Sequence, residues 1–384
     1  MRADERAVTA SAGSGDQAEV VAWDGGGRLY SVWRAGHTWR RGLSGRALHK
    51  WHDATGRHRE RIGGAAVDRL LDETASLAGE IGRIAGDGLQ AVPGHEAAVQ
   101  YLARAARFDA AAGRADAARF HAVYRDVGIL PPDQYLSTVV ELTEGCTHDT
   151  CTFCDLYNRP FRVRGEAEFA RHLREVREYL GESLPLRRRS VFLGAANALA
   201  LSTRRLESAL DAVGEAFESG TRVSGFLDAE RGSGRNEREY RSLAARGLDR
   251  VYVGVESGHD RLLAFVRKPG TSADAVRAVR AIKSAGVRIG LIVLIGLGGD
   301  RFAEGHVADT IRMLNDVPLD GEDIVYFSEL VEGASPYASI AAASGIRPLS
   351  PVERRAQTRR IRDGLSFAAA PPRMARYDVR DFVY

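Results

Sequence analysis

Three cysteines, Cys146, Cys151 and Cys154, fall within nine residues, and the 384-residue chain has no others. An odd, tightly spaced set is a poor disulfide framework and a good set of metal ligands. Three thiolates on one loop can take three irons of a cubane cluster, whereas a cluster that only transfers electrons normally has four cysteine ligands. One iron would then stay open to a bound molecule. A structural zinc ion completed by His148 or Asp149 is the alternative chemistry for the same loop. A place on the loop surface is the expectation for His148 if iron is bound.

The elements that must position this loop are strands followed by helices. From Pro131-Pro132 onward, strand-like runs alternate with helical stretches such as GEAEFARHLREVREYL, which is how a parallel β/α sheet or barrel reads in sequence. The strand candidates are LSTVVEL (136–142), SVFLG (190–194), VSGFL (223–227), RVYVGV (250–255), VRIGLIVLIG (287–296) and IVYFSELV (324–331). These six units predict an α/β fold, a partial (β/α)6 TIM-like barrel, with chemistry at the C-terminal ends of its strands. Tyr326 and Glu329 lie at odd spacing in the last of these strands, so at most one can face the pocket. Upstream, residues 1–18 read as a flexible start. Residues 19–132 form a smaller accessory domain, with two or three short antiparallel strands in 19–51 and amphipathic helices after them. The barrel occupies 133–345, and 346–384 reads as a closing helix and tail.

Composition narrows the function classes. A hydrophobic fraction of 44% and a charged fraction of 27% suit a folded globular protein, and a net charge of +3 is too small for a general nucleic-acid or membrane binder. The first fifteen residues lack the pattern of a secretion signal, and the longest apolar run, near Leu291 to Leu297, is too short to span a bilayer. A cytoplasmic protein without membrane contact is expected. Lysine occurs only at Lys50, Lys268 and Lys283; the remaining basic charge is arginine.

The cysteine loop, ELTEGCTHDTCTFCDLYNRPFRVR after the first barrel strand, resembles that of the radical S-adenosylmethionine (radical SAM) superfamily, including an aromatic residue, Phe153, just before the last cysteine. The usual spacing in that family has three residues between the first two cysteines, and this chain has four. Further strand ends from 136 to about 340 resemble the family's cofactor elements. The resemblance implies that Gly194 and Asn197 in FLGAANALAL meet the cofactor's amino group, and that Glu256 and Ser257 in VYVGVESG accept from ribose hydroxyls or the ammonium. It further implies an apolar shelf for the adenine at Ile295 with Gly296, and backbone groups near Val331 in ELVEGASP at the adenine edge. GLGG lacks the order of a dinucleotide fingerprint. The branch resembled includes coproporphyrinogen dehydrogenases, Elongator-type and methylthiotransferase-type barrels, through GVESG, Lys268 and IKSAGVRIGLIVLIGLGG.

That resemblance implies a [4Fe–4S] cluster on Cys146, Cys151 and Cys154, S-adenosylmethionine as second cofactor, and an external low-potential electron donor of flavodoxin or ferredoxin type. Reductive cleavage would give a 5′-deoxyadenosyl radical that abstracts hydrogen from substrate. No catalytic residue beyond the cofactor set is named by the sequence. The absence of extra cysteines speaks against auxiliary clusters, and no histidine-bearing cobalamin segment is seen. A small-molecule or natural-product substrate is the first expectation, and tRNA or a peptide the second. Trp33, Trp39, Arg40, Arg41 and Trp51 put aromatics among basic residues, which suits either an RNA ligand or a hydrophobic core with a solvated arginine edge. A non-catalytic metal-binding barrel is the reading of a different class.

Overall fold

The computed structural model of the chain describes residues 2–13, 18–86, 95–125, 127–157, 159–187, 190–218, 220–331, 333 and 335–384. It opens with an antiparallel meander: β1 (Arg2–Ala3), β2 (Ala7–Ala12), β3 (Glu19–Asp24), β4 (Leu29–Arg34), β5 (His37–Arg41), β6 (Ala47–Asp53) and β7 (Gly56–Ile62), each paired with the next. Seven strands replace the two or three expected, and residues read as a flexible start pair as β1 and β2. The apolar pattern was too thin to show them: β2 is AVTASA, and β7, GRHRERI, has a single apolar residue. Residues 14–17 of that expected start lie outside the described residues.

One face of the meander buries Val8, Val21, Trp23 and Val32 against the apolar stripes of α1 (Ala65–Gly86) and α2 (His95–Ala105). Behind them α3 (Ala110–Val123) carries Asp116, a buried carboxylate bridging Arg28 Nε at 2.8 Å and Arg41 Nη2 at 3.2 Å. Arg41 is therefore an interior ion pair rather than part of a solvated edge, and Arg40 lies 4.8 Å over the Tyr135 ring. Trp39 and Trp51 stack with His49 between them, at centroid distances of 4.5 and 4.6 Å.

The second unit is a parallel sheet with helices between its strands. Its first part runs β8 (Thr138–Glu141), the short ribbon β9 (Thr143–Glu144) and β10 (Arg162–Val163), α4 (Glu166–Leu180), α5 (Leu184–Arg187), β11 (Val191–Gly194), α6 (Thr203–Phe217) and β12 (Val223–Leu227). It continues through α7 (Ala229–Ser233), α8 (Glu237–Ala244), β13 (Leu248–Glu256), α9 (Asp260–Phe265), α10 (Ser272–Ser284), β14 (Arg288–Ile295) and α11 (Gly299–Asn315). It ends with β15 (Ile324–Glu329), α12 (Tyr337–Ala343), α13 (Pro351–Asp363) and β16 (Arg373–Tyr377). The strands stand in the order β8, β11, β12, β13, β14, β15, β16, all parallel, so each new strand is laid beside the last.

All six expected strands are present. The seventh, β16, lies in the stretch read as tail, because RMARY carries too few apolar residues to announce a strand. Burial of these strands is nearly continuous, as a parallel sheet covered on both faces requires. At the N-terminal end of the sheet Asp133 accepts from Tyr252 Oη at 2.6 Å and Tyr326 Oη at 2.7 Å, so hydroxyls from β13 and β15 converge on one carboxylate there. Among the described residues no helix is long and apolar enough to cross a membrane.

The two units are keyed together at the end of α4. Arg28 donates to Leu180 O at 3.2 Å and Tyr179 O at 2.8 Å, and the adjoining Gly25 lies so near the Glu182 carbonyl that a Cβ there would collide with it. Removing the central carboxylate should leave two guanidinium groups buried without their counter-charge. Asp116→Ala is expected to cost roughly 3–5 kcal/mol of stability, visible as a lower urea midpoint at unchanged slope; a shift below about 1 kcal/mol would contradict the role given to this pair.

Candidate functional site

The cysteine loop leaves β8 through β9 and returns through β10, so its two stems are tied as an antiparallel ribbon. Its middle is fastened to the end of α9: Thr152 N donates to Val266 O at 3.0 Å and Thr150 Oγ1 to Arg267 O at 3.3 Å. Phe153, between the last two cysteines, packs on the apolar cluster of Leu262, Val266, Leu294 and Leu297. The aromatic residue thus serves as an apolar anchor from which the flanking thiols project.

All three cysteines line one cavity of about 240 Å³ at the C-terminal ends of the strands. Phe153, Asn197, Glu256 and Val331 line it as well, together with Asp228, Lys268 and Glu329. Residues from the loop after β8 and from β16, the two edges of the sheet, share this lining, so the sheet curls around the cavity as a partial barrel must.

Glu256 is placed by an irregularity. The register of β13 on β14 slips between Gly254 and Glu256, and Glu256 has φ of +56°, a left-handed conformation that a glutamate adopts only under constraint. Its carboxylate folds back over Gly254, where a Cβ would lie 2.5 Å from Oε1. Lys268 Nζ stands 3.5 Å from the same oxygen. Burial pushes the Glu256 carboxyl up against the opposing pull of Lys268. Burial works against the Lys268 ammonium, yet Glu256, Cys151, Asp228 and Cys146 outweigh it and raise its pKa. The lysine stays charged.

Burial raises all three thiols, Cys151 to about 12, and Lys268 draws each of them back down. A metal binding here must therefore displace protons from thiols. On the facing side Asn197 donates through Nδ2 to Thr147 Oγ1 at 2.7 Å and to Asp228, whose N–H returns a bond to Asn197 Oδ1 at 3.0 Å. His148 is not a bystander on the loop surface, as expected, but lines the cavity, with Nε2 3.2 Å from Glu230 and 3.7 Å from Asp228. These three residues form a tight set of donor atoms that contains no cysteine. The His148 Nε2 faces these carboxylates and makes no hydrogen bond, while three thiols on one loop suit a three-cysteine iron–sulfur cluster.

Four of the expected site residues do not line the cavity. Ile292 and Leu294 do, and the alternation of β14 turns the fully buried Ile295 to the other side. The Gly296 N–H is taken by Gln357 Oε1 at 2.8 Å. Gly194 O accepts from Leu142 N at 2.9 Å, within the sheet. Ser257 is fully buried and its hydroxyl lies 2.7 Å from His306 Nδ1, so it fixes the turn after Glu256 to α11. Of Tyr326 and Glu329, only Glu329 reaches the cavity. Glu332 and Ala334 of the ELVEGASP run lie outside the described residues.

Lys268 and Asp228 carry much of the site's charge and were not singled out as site residues. For Lys268 a signal existed: it is one of three lysines in a chain whose other basic residues are all arginine. A compact ammonium fits a narrow buried position that a guanidinium fork does not.

A parallel α/β sheet with a thiol-lined cavity at its carboxyl ends defines a cofactor-binding enzyme of barrel type. Residues 140–314 match the family model described as Radical SAM superfamily, and the chain carries a domain of that family. That superfamily uses a [4Fe–4S] cluster and S-adenosylmethionine. No curated protein matches.

Among solved structures, the cobalamin-dependent S-adenosylmethionine radical enzyme OxsB with aqua-cobalamin bound is 15% identical, with 77% of this chain and 36% of that one covered at a TM-score of 0.39. The radical S-adenosylmethionine methyltransferase TsrM from Kitasatospora setae is 18% identical, with 56% and 38% covered and a TM-score of 0.41. Coproporphyrinogen III oxidase (HemN) from Escherichia coli, described as a radical SAM enzyme, is 16% identical, with 63% and 54% covered and a TM-score of 0.43. The chain spans little more than a third of the length of OxsB and TsrM.

The turn after Glu256 yields a pH prediction. Burial holds His306 at about 4 and His172 at about 3, both below the ordinary 6.5. The unfolded chain takes these protons near pH 6.5 while the folded protein resists, so the stability they contribute is complete above about 6.5 and is lost as pH falls toward about 4. Denaturation midpoints followed from pH 7 to pH 4 should fall steadily. His306→Asn, which keeps a polar partner for Ser257 but does not titrate, should flatten part of that slope; an unchanged slope would contradict the assignment.

Proposed function

We propose that this chain cleaves S-adenosylmethionine reductively at a [4Fe–4S] cluster held by Cys146, Cys151 and Cys154 and uses the product to abstract hydrogen from a small-molecule substrate. The observation that carries this reading is the convergence of the three thiols with Phe153, Asn197, Glu256 and Val331 on one cavity, all but Val331 within the segment that matches the family. When bound, cluster and cofactor supply the reducing equivalent and the carbon radical, which is the hard part of the chemistry.

The protein's own residues bind, orient and exclude water. Glu256 offers a buried carboxylate to the cofactor's ribose hydroxyls or ammonium, and Lys268 keeps that carboxylate compatible with burial. Asn197, fixed by Thr147 and Asp228, has its place beside the first cysteine. Val331 follows β15 and adds apolar surface with backbone groups for the adenine. Phe226, Ile292 and Leu294 close the cavity with apolar surface, which keeps stray hydrogen donors from a reactive carbon centre. The meander β1–β7 with α1–α3 is proposed as an accessory unit, the parallel sheet from β8 to β16 with its helices as the radical SAM core, and an external flavodoxin- or ferredoxin-type protein as the electron source. A reducing, cytoplasmic setting suits three free thiols.

Anaerobic reconstitution with iron and sulfide, followed by dithionite and S-adenosylmethionine, should yield 5′-deoxyadenosine on chromatography. Cys146→Ala, Cys151→Ala and Cys154→Ala should each abolish it; a reconstituted protein that holds zinc and forms none would overturn the proposal. Glu256→Ala should raise the KM for S-adenosylmethionine about ten-fold or more while iron and sulfide content stay at the wild-type level. An unchanged KM would remove Glu256 from the cofactor site.

A further inference from the structure

The same cavity has a charge pattern that bears on what it admits besides the cofactor. Carboxylates line it at Asp149, Asp155, Asp228, Glu256 and Glu329, whereas the basic side chains among its described lining are Lys268 and His148. Each of those two stands beside a carboxylate, Lys268 at 3.5 Å from Glu256 and His148 at 3.2 Å from Glu230. The chain carries 54 lysines and arginines, yet no arginine borders the cavity among the described residues. A phosphate ester entering here would meet net negative charge and no cation without a carboxylate beside it.

The wall contributed by the later strands is apolar apart from Glu256, Ser328 and Glu329: Phe226 on β12, Ile292 and Leu294 on β14, Tyr377 on β16 and Val379 beyond it. Glu329 ends β15, where it can face both this wall and the mouth. Its side chain is 34% exposed, and its ion-pair contact is with Arg376 Nη2 at 3.6 Å, outside hydrogen-bond distance. Arg376 is itself 52% exposed and lies closer to Asp378, at 3.2 Å. Glu329 is thus a carboxylate on an apolar wall, held by a loose and partly solvated contact that a better-placed cation would replace.

We infer that the substrate is a small, largely apolar molecule bearing an amine, and that Glu329 selects it by accepting from its ammonium while the Phe226–Ile292–Leu294 wall takes the hydrocarbon part. This rests on the cavity's being the radical SAM site proposed above. The residue acts on recognition: the carboxylate fixes one end of the molecule, so the carbon presented to the cofactor is set by its distance from the amine.

The test uses reconstituted protein with saturating S-adenosylmethionine and no reductant. Calorimetric titration would compare 2-phenylethylamine, 2-phenylethanol and phenyl phosphate. The amine should bind about ten-fold or more tightly than the alcohol, and the phosphate should bind more weakly than either. Glu329→Gln should bring the amine down to the affinity of the alcohol, whereas Arg376→Ala, which removes the nearer of the two arginines that compete for Glu329, Arg380 being the other, should tighten the amine. Equal binding of amine and alcohol, preferred binding of the phosphate, or an amine affinity unmoved by Glu329→Gln would overturn the inference. So would displacement of the amine by S-adenosylmethionine, which would assign Glu329 to the cofactor. If Glu329→Gln does not fold, the direction of the Arg376→Ala effect decides. The 5′-deoxyadenosine assay on the same preparations separates the two readings: cleavage without amine selectivity defeats only this one, and no cleavage defeats the one beneath it.

Discussion

The charge of Lys268 is the constraint around which the cavity is built. Three thiols that must give up protons, a buried glutamate and Asp228 all border one small space, and burial opposes charge on the thiols and on Glu256. One ammonium faces several of them: it lies 3.5 Å from Glu256, and it lowers the pKa of all three cysteines. Without it the site would gather like charges in a low-dielectric pocket and exclude the metal ligation it is shaped for. Placing that ammonium accounts for several local oddities together. Gly254 has no side chain because the Glu256 carboxylate occupies that volume, and Glu256 and Arg267, the residue before the lysine, both adopt positive φ.

The same pair shows where sequence reading reaches its limit. The strands, the cysteine loop and the inward position of Glu256 follow from apolar runs and from motif. Which neighbour of Glu256 joins it does not, because that depends on a register slip that alternation cannot reveal. A regular strand would turn Ser257 away from the cavity, and the turn beyond the slip commits it to His306. Ile295 lies off the cavity for the opposite reason. There β14 is regular, and its alternation would have assigned Ile292 and Leu294 to the cavity had one inward residue been known. Short polar strands were illegible on principle: β7 and β16 exist because a neighbouring strand offers its backbone, and no hydrophobic period records that.

Beneath the site, the launching strand of the cysteine loop poses a different problem. Strand β8 is the edge of the parallel sheet, paired only with β11, so alternate backbone groups on its other side have no strand to meet. Side chains meet them instead. Val139 N donates to Tyr384 Oη at 2.8 Å, Val139 O accepts from Tyr124 Oη at 3.0 Å, and Glu141 N donates to His172 Nε2 at 2.9 Å. The three groups come from the last residue of the chain, from the end of α3 in the first unit, and from α4.

That arrangement gives the N-terminal unit and the tail a mechanical connection to the chemistry. Tyr384 Oη also donates to Ser137 O at 3.1 Å, just before β8, while its backbone carbonyl accepts from Ser44 N at 2.9 Å in the turn between β5 and β6. The meander, the tail and the edge strand therefore form one hydrogen-bonded path ending five residues before Cys146. A tyrosine hydroxyl can donate and accept at once, which a strand backbone at that edge could do only by extending the sheet toward closure. By capping β8 with side chains the fold leaves the parallel sheet unclosed at that edge without leaving its backbone groups unpaired.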